Sequence, residues 1–204
     1  MTQDTEISHL LDLMPASGRM ITKLISKPQQ KTVIDSPFPL PWKPIRQVFI
    51  NFELWQNLSR SQRDLLLLRT VCWVCNIRWI KLDINQGVAL AGIVGTVVEI
   101  SNQDAVGVML AGSLAAIGLT QIWKSNHSSQ VELEADEMAV RIAQRRGYLE
   151  TEAARALLQA IERVAEIEGR TSLNFIELVR SQNLRTIGKL SSVAVPDSIR
   201  QETR

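Results

Sequence analysis

Two carboxylates, two thiols and two histidines are the groups in this chain whose types and spacing bear on chemistry. Glu132 and Asp136 stand four residues apart in Glu132-Leu133-Glu134-Ala135-Asp136, so on a helix they share one face. Ala139 and Ala143 continue that face. Carboxylates on a face that turns apolar need partners, either a metal ion or cationic side chains. Ser129 and Glu132 also have capping-box spacing, and acids favour a helix N-terminus in any case. Cys72 and Cys75 form a C-x-x-C, which can ligate a metal or cycle between thiol and disulfide. Reactive cysteines of that kind sit at helix N-termini. These two fall more than three turns into a helix that starts at Ser59, so core packing is their expected role. A metal site built from Cys72, Cys75, Glu132 and His127 is the alternative. His9 and His127 lie far apart in the sequence. No glycine-rich phosphate loop is present, because the glycines at 92, 95, 107 and 112 have no following Lys-Ser or Lys-Thr. No Ser-His-Asp arrangement is suggested.

Helices must position most of these groups. Ser59 and Gln62 fit a capping box, and the helix they open runs to about residue 80. It is apolar nearly all round, from Leu65 through Trp79, so it is buried on most sides or lies against lipid. A second helix spans about 130–146 and ends at Gly147 in a left-handed position. A third, amphipathic, covers about 151–168, and a fourth begins with Ser172 as cap and reaches 184 or 187. Residues 45–52 alternate, with Val48, Ile50 and Phe52 on one side, and form the best strand candidate. Four prolines keep 36–44 extended. Near the N-terminus, residues 7–13 read as helix, and Met20, Leu24 and Ile25 read as a second helical stretch ending before Pro28. The expected fold class is mainly α (α+β) with a small sheet. The expected organisation is an N-terminal helical segment (1–30), a main domain (31–187) and a flexible tail (188–204). No internal repeat is visible.

Residues 87–123 are unlike the rest. They carry only Glu99 and Asp104 as charges, and no Lys or Arg. Two apolar runs, 88–100 and 105–123, flank a polar turn at Ser101-Asn102-Gln103-Asp104, and small residues recur through both. This predicts a helical hairpin with close packing. Arg78, Lys81 and Lys124 stand outside it, and its turn has no positive charge, as expected for a hairpin inserted with both feet in the cytosol. A hairpin buried in protein is the alternative, with a soluble cytoplasmic chain.

The bulk numbers narrow the function classes. At 204 residues and 45% apolar, the chain is one domain with a sizeable core. Its net charge of +2 comes from interspersed signs with no basic stripe, which argues against nucleic acid as a partner. Two cysteines make no disulfide framework. The first residues carry Asp4, Glu6 and Asp12 and lack the basic start of a secretory signal.

The acidic pentad 132–136, the Gly147-Tyr148 pair and the alanine-rich helix from about Thr151 together resemble the gluzincin membrane metallopeptidases of the HtpX and CaaX-protease type. The order upstream is similar too: strand, short helical turn, then a long helix where that family keeps zinc ligands. The resemblance covers roughly 33–184. It implies a zinc-hydrolase fold in which Glu132 is the third ligand and Asp136 its supporting acid. The first ligand then falls on Arg69, the general base on Thr70 and the second ligand on Trp73. All three depart from His-Glu-x-x-His, and neither His9 nor His127 restores the motif in another register. A zinc hydrolase without its histidines and base is not expected to hydrolyse anything. The chain is also similar to a cyanobacterial family of pseudo-peptidase type. The resemblance therefore implies no enzyme and no cofactor. It implies instead an inactive, membrane-associated scaffold or an assembly or quality-control factor, binding an unidentified protein partner and held to the membrane through 88–123. A metal-dependent enzyme rebuilt on Cys72, Cys75 and Glu132, or a small structural membrane protein, are the alternatives. Loss of zinc would leave Glu132 buried without a cation, and Arg69 could replace the metal by bridging to Glu132 or Asp136.

Overall fold

Helix α4 (Arg60–Asn76) is the element around which the rest is arranged. Its start is the capping box that the sequence announces. The Ser59 backbone N–H donates to Gln62 Oε1 at 2.8 Å, and the Gln62 N–H donates to Ser59 Oγ at 3.4 Å. The structure, a computed structural model, describes residues 3–40, 43–76, 129–196 and 199. The hairpin expected over 87–123, the last turns expected of this helix, and His127 lie outside the described residues.

The all-round apolar character of α4 is explained by layers on two sides. One side presents Leu65, Leu68 and Cys72 to helices α5 (Ser129–Gln144) and α6 (Glu150–Ile167). Alanines 135, 139, 143, 153 and 154 line that junction and let the helices approach closely. The other side presents Leu66, Leu67 and Val71 to a three-stranded sheet and to α1 (Gln3–Leu13). There they meet Val48, Ile50, Leu10, Met14 and Trp55, the last from the one-turn helix α3 (Phe52–Trp55). Each of these large side chains removed from water contributes about 1.5–3 kcal/mol. The architecture is mainly α with a small sheet, as expected.

The sheet has the order β1-β3-β2, with β1 Thr22–Ser26, β2 Ile34–Asp35 and β3 Arg46–Ile50. β1 pairs parallel to β3, Thr22 opposite Arg46, and β2 pairs antiparallel, Ile34 opposite Ile50. This corrects the reading of Met20, Leu24 and Ile25 as one helical stretch. Helix α2 (Ala16–Ile21) stops before Thr22, and the next five residues extend along β3. Thr22 and Ile25 are β-branched, and the ladder offered by β3 outweighs the weak helical periodicity. Gly18 lies where α2 crosses α4, and a Cβ there would stand 2.6 Å from Val71 Cγ1.

Helix α5 ends in a Schellman turn with Gly147 at φ 95°. The Gly147 N–H donates to Gln144 O and the Tyr148 N–H to Ala143 O. Helix α7 (Phe175–Ile187) is capped by Asn174 in a capping box with Glu177, two residues beyond the expected Ser172. It runs beside α5, with Val179 against Leu133. Val195, in the stretch expected to be a loose tail, is buried against the same two residues.

Candidate functional site

Helices α4, α5 and α7 converge on four charged side chains. Asp136 on α5 is fully buried. Arg180 on α7 grips it with both prongs of its guanidinium, Nε to Oδ2 at 2.8 Å and Nη2 to Oδ1 at 2.9 Å. Arg69 on α4 pairs through Nη2 with Glu132 Oε2, and its Nε stands 3.5 Å from Asp136 Oδ1. Two guanidinium charges thus face two carboxylates. Burial lowers the Arg69 pKa to about 9, with the Arg180 charge adding to the fall and Asp136 opposing it. Arg69 therefore stays cationic at neutral pH.

The network floors a cleft of about 310 Å³. Arg69, Thr70, Trp73 and Glu132 all line it, four of the five positions expected from the resemblance, whereas Asp136 does not. Thr70 donates its hydroxyl to Leu66 O at 2.8 Å, so that proton is spent on its own helix. Trp73 is nearly buried, and Phe38 meets its ring edge-on at a centroid distance of 6.4 Å. Across the cleft, Arg170 donates to Glu177 at 2.7 and 2.9 Å and to Glu168 at 3.1 Å. Glu168 in turn accepts from the Val33 N–H. Burial alone would raise the Glu177 carboxyl. The Arg170 hydrogen bond, the Asn174 N–H and the nearby arginine charges outweigh it and hold Glu177 below its ordinary value.

The side chains at 69, 70 and 73 do not fit a zinc ion. A guanidinium is a cation without a free lone pair, an indole N–H only donates, and Thr70 is turned to its backbone. The two cysteines sit in an environment that holds them as thiols. Burial pushes the Cys72 thiol up to about 12, with Cys75 adding to the rise, and burial also raises Cys75. Redox exchange needs the thiolate, which this environment disfavours. Among the described residues no group of three His, Cys, Asp or Glu side chains is placed to hold a metal, and Cys72, Cys75 and Glu132 are not gathered into one.

Sequence reasoning missed Arg180, the closest partner of Asp136. Its signal was present: an arginine four residues before Leu184 on a buried helix face, with an acid elsewhere still lacking a cation. It also missed the partners of His9 and Tyr148. His9 Nε2 lies 2.9 Å from Asp64 Oδ1, and Tyr148 donates to Asp64 Oδ2 at 2.7 Å. These bonds tie α1 and the α5–α6 turn to the buried start of α4.

Residues 8–148 match a family described as "Protein of unknown function (DUF3318)". The chain belongs to that family. The DUF3318 match takes in Arg69, Glu132 and Asp136 and ends before Arg180. The thylakoid membrane protein slr1949 of Synechocystis sp. is 27% identical over 123 residues, which cover 59% of this chain and 58% of that protein. The chain thus spans little more than half the length of this relative. No solved structure matches. Nothing in these matches links the chain to gluzincin peptidases; that link rests on the residues alone. Among the described residues no helix is long and apolar enough to cross a membrane.

Proposed function

We propose that this DUF3318 protein is a catalytically inactive, metallopeptidase-like protein that acts at a membrane surface as a scaffold or as an assembly or quality-control factor. The observation that carries the reading is the ion pair between Arg69 and Glu132. The position expected for the first zinc ligand meets the position expected for the third, and a cation stands between the helices where a metal would. Arg180 brings a second positive charge to Asp136. Two arginines thus match the charge of a divalent ion and pair with the two acids it would leave behind. Thr70 and Trp73 supply neither a base nor a ligand, so the cleft is read as a binding groove for a protein partner. The membrane part is supported by the apolar stretch 88–123 and by the similarity to a thylakoid membrane protein.

The test restores the ligands and base that the resemblance implies were lost. A triple variant, Arg69→His with Thr70→Glu and Trp73→His, is expected to stay folded by circular dichroism and to bind about one zinc per chain. Adding Glu132→Ala is expected to abolish that binding. A folded triple variant that takes up no zinc would refute the ancestry. Stoichiometric zinc or peptide hydrolysis in the unaltered protein would refute the inactivity. Membrane attachment is read separately, by flotation of the full chain with lipid vesicles.

A further inference from the structure

We infer that the start of α7 and the loop before it, residues 171–178, form a lipid-facing edge that rests in the interfacial layer of the bilayer. The inference rests on the membrane attachment proposed above and adds the face that the folded unit turns toward the lipid.

The surface itself is the first observation. Phe175 and Leu178 are one helical turn apart and are 59% and 55% exposed. Leu173 and Ile176 beside them are half-buried. The acid of this turn, Glu177, is bound by both prongs of Arg170 and by the Asn174 N–H. An apolar edge whose nearby carboxylate is held by an arginine suits the interfacial region, where aromatic and aliphatic side chains insert beneath the headgroups.

The second observation is where the edge lies. α7 runs in the same direction as α5, since Leu133 meets Val179, Asp136 meets Arg180 and Glu137 meets Asn183. Its first turn is therefore at the end where α5 begins at Ser129. Asn76, the last residue of α4, reaches the same end and donates to Glu134 at 3.1 Å. The chain leaves the described unit and returns to it at this end. Between these points lies the sequence with the long apolar runs, bounded by Arg78, Lys81 and Lys124. If that stretch anchors the protein, this end faces the membrane, and a lipid surface is the occupant that Phe175 and Leu178 meet. Leu149 is also exposed, at 64%, but follows the C-terminal turn of α5 at the opposite end and serves as the internal control.

The experiment places a fluorescent thiol label at Phe175→Cys, Leu178→Cys or Leu149→Cys in the full chain. The native cysteines are buried or half-buried with thiols held protonated, so mild labelling favours the new site. Each labelled protein is reconstituted into vesicles of phosphatidylcholine with a minority of phosphatidylglycerol. Labels at 175 and 178 are expected to be quenched by nitroxide lipid and shielded severalfold from aqueous iodide relative to the label at 149. Co-floating protein whose labels at 175 and 178 remain as iodide-accessible as that at 149 would overturn the lipid-facing edge alone. Protein that does not float with vesicles would remove the membrane reading and this inference together.

Discussion

Replacing Arg180 with alanine is expected to destabilise the fold more than replacing Arg69, although Arg69 occupies the position that sequence reasoning placed first. Asp136 has no exposed surface and receives its two short bonds, 2.8 and 2.9 Å, from Arg180. Without them the cation left beside it among the described residues is Arg69, with Nε at 3.5 Å, beyond good hydrogen-bond range. Breaking a buried ion pair from one side costs about 3–5 kcal/mol, and Arg180→Ala belongs in the upper half of that range. Arg69→Ala leaves the Arg180–Asp136 fork intact and strands Glu132. That side chain is 13% exposed at the wall of a 310 Å³ cleft, where water can reach it. The expected loss is about 2–3 kcal/mol. The pair Arg180→Met with Asp136→Leu removes both charges together and is expected within about 1 kcal/mol of the unaltered protein. Urea unfolding of the detergent-solubilised chain, followed by tryptophan fluorescence, gives all three midpoints. The reasoning fails if Arg180→Ala costs less than Arg69→Ala, or if the double variant is no better than Arg180→Ala alone.

Three further outcomes follow from the packing and the charges. Gly18→Ala should lose about 1–3 kcal/mol despite a favourable helix propensity, because its methyl meets Val71, and the loss should shrink in a Val71→Ala background measured by the same unfolding assay. Cys72 should resist iodoacetamide at neutral pH in the folded chain and react in urea, since burial holds its thiol at about 12; mass spectrometry of labelled peptides gives the comparison. Glu177 has a folded carboxyl below its unfolded value, so its stabilising effect is complete above the ordinary carboxylate range and fades as pH falls through the folded value. Glu177→Gln should therefore be less stable at neutral pH, with the gap narrowing in acid, read as midpoint differences across a pH series.

Where a local signal was strong, the chain's sequence already showed the element. Ser59 and Gln62 place the start of α4, Gly147 ends α5, and the alternation of Val48 and Ile50 finds β3. The failures have a common physical form. β1 is five residues whose extended state depends on a partner strand some twenty residues away, and nothing local announces that pairing. Asn174 displaced Ser172 as the cap because Glu177 could answer it across one turn. The site divides the same way. Glu132 and Asp136 were found from spacing within one helix and Arg69 from the metallopeptidase resemblance, but Arg180 reaches Asp136 from a third helix, and tertiary partners leave no periodic trace.

The buried charges themselves need an explanation, because a well-packed apolar cluster would serve stability as well or better. The four groups join three helices whose buried contacts are otherwise mainly alanines, leucines and valines, which fix a helix register less sharply than directional bonds do. A guanidinium fork holds one carboxylate in one orientation, so Arg180 on Asp136 fixes α7 against α5, and the ion pair of Arg69 with Glu132 links α4 to α5. A metal ion held at positions 69, 73 and 132 would fix α4 against α5 through its ligands. On the proposed ancestry, loss of zinc removes that constraint, Arg69 restores it, and Arg180 adds α7 to the same register. The register then survives without the chemistry, and the cleft keeps its shape for binding. The double variant Arg180→Met with Asp136→Leu separates the two roles. It should keep stability while broadening the amide signals of α7 in an NMR spectrum, and uniformly sharp signals would show that the apolar contacts alone set the register.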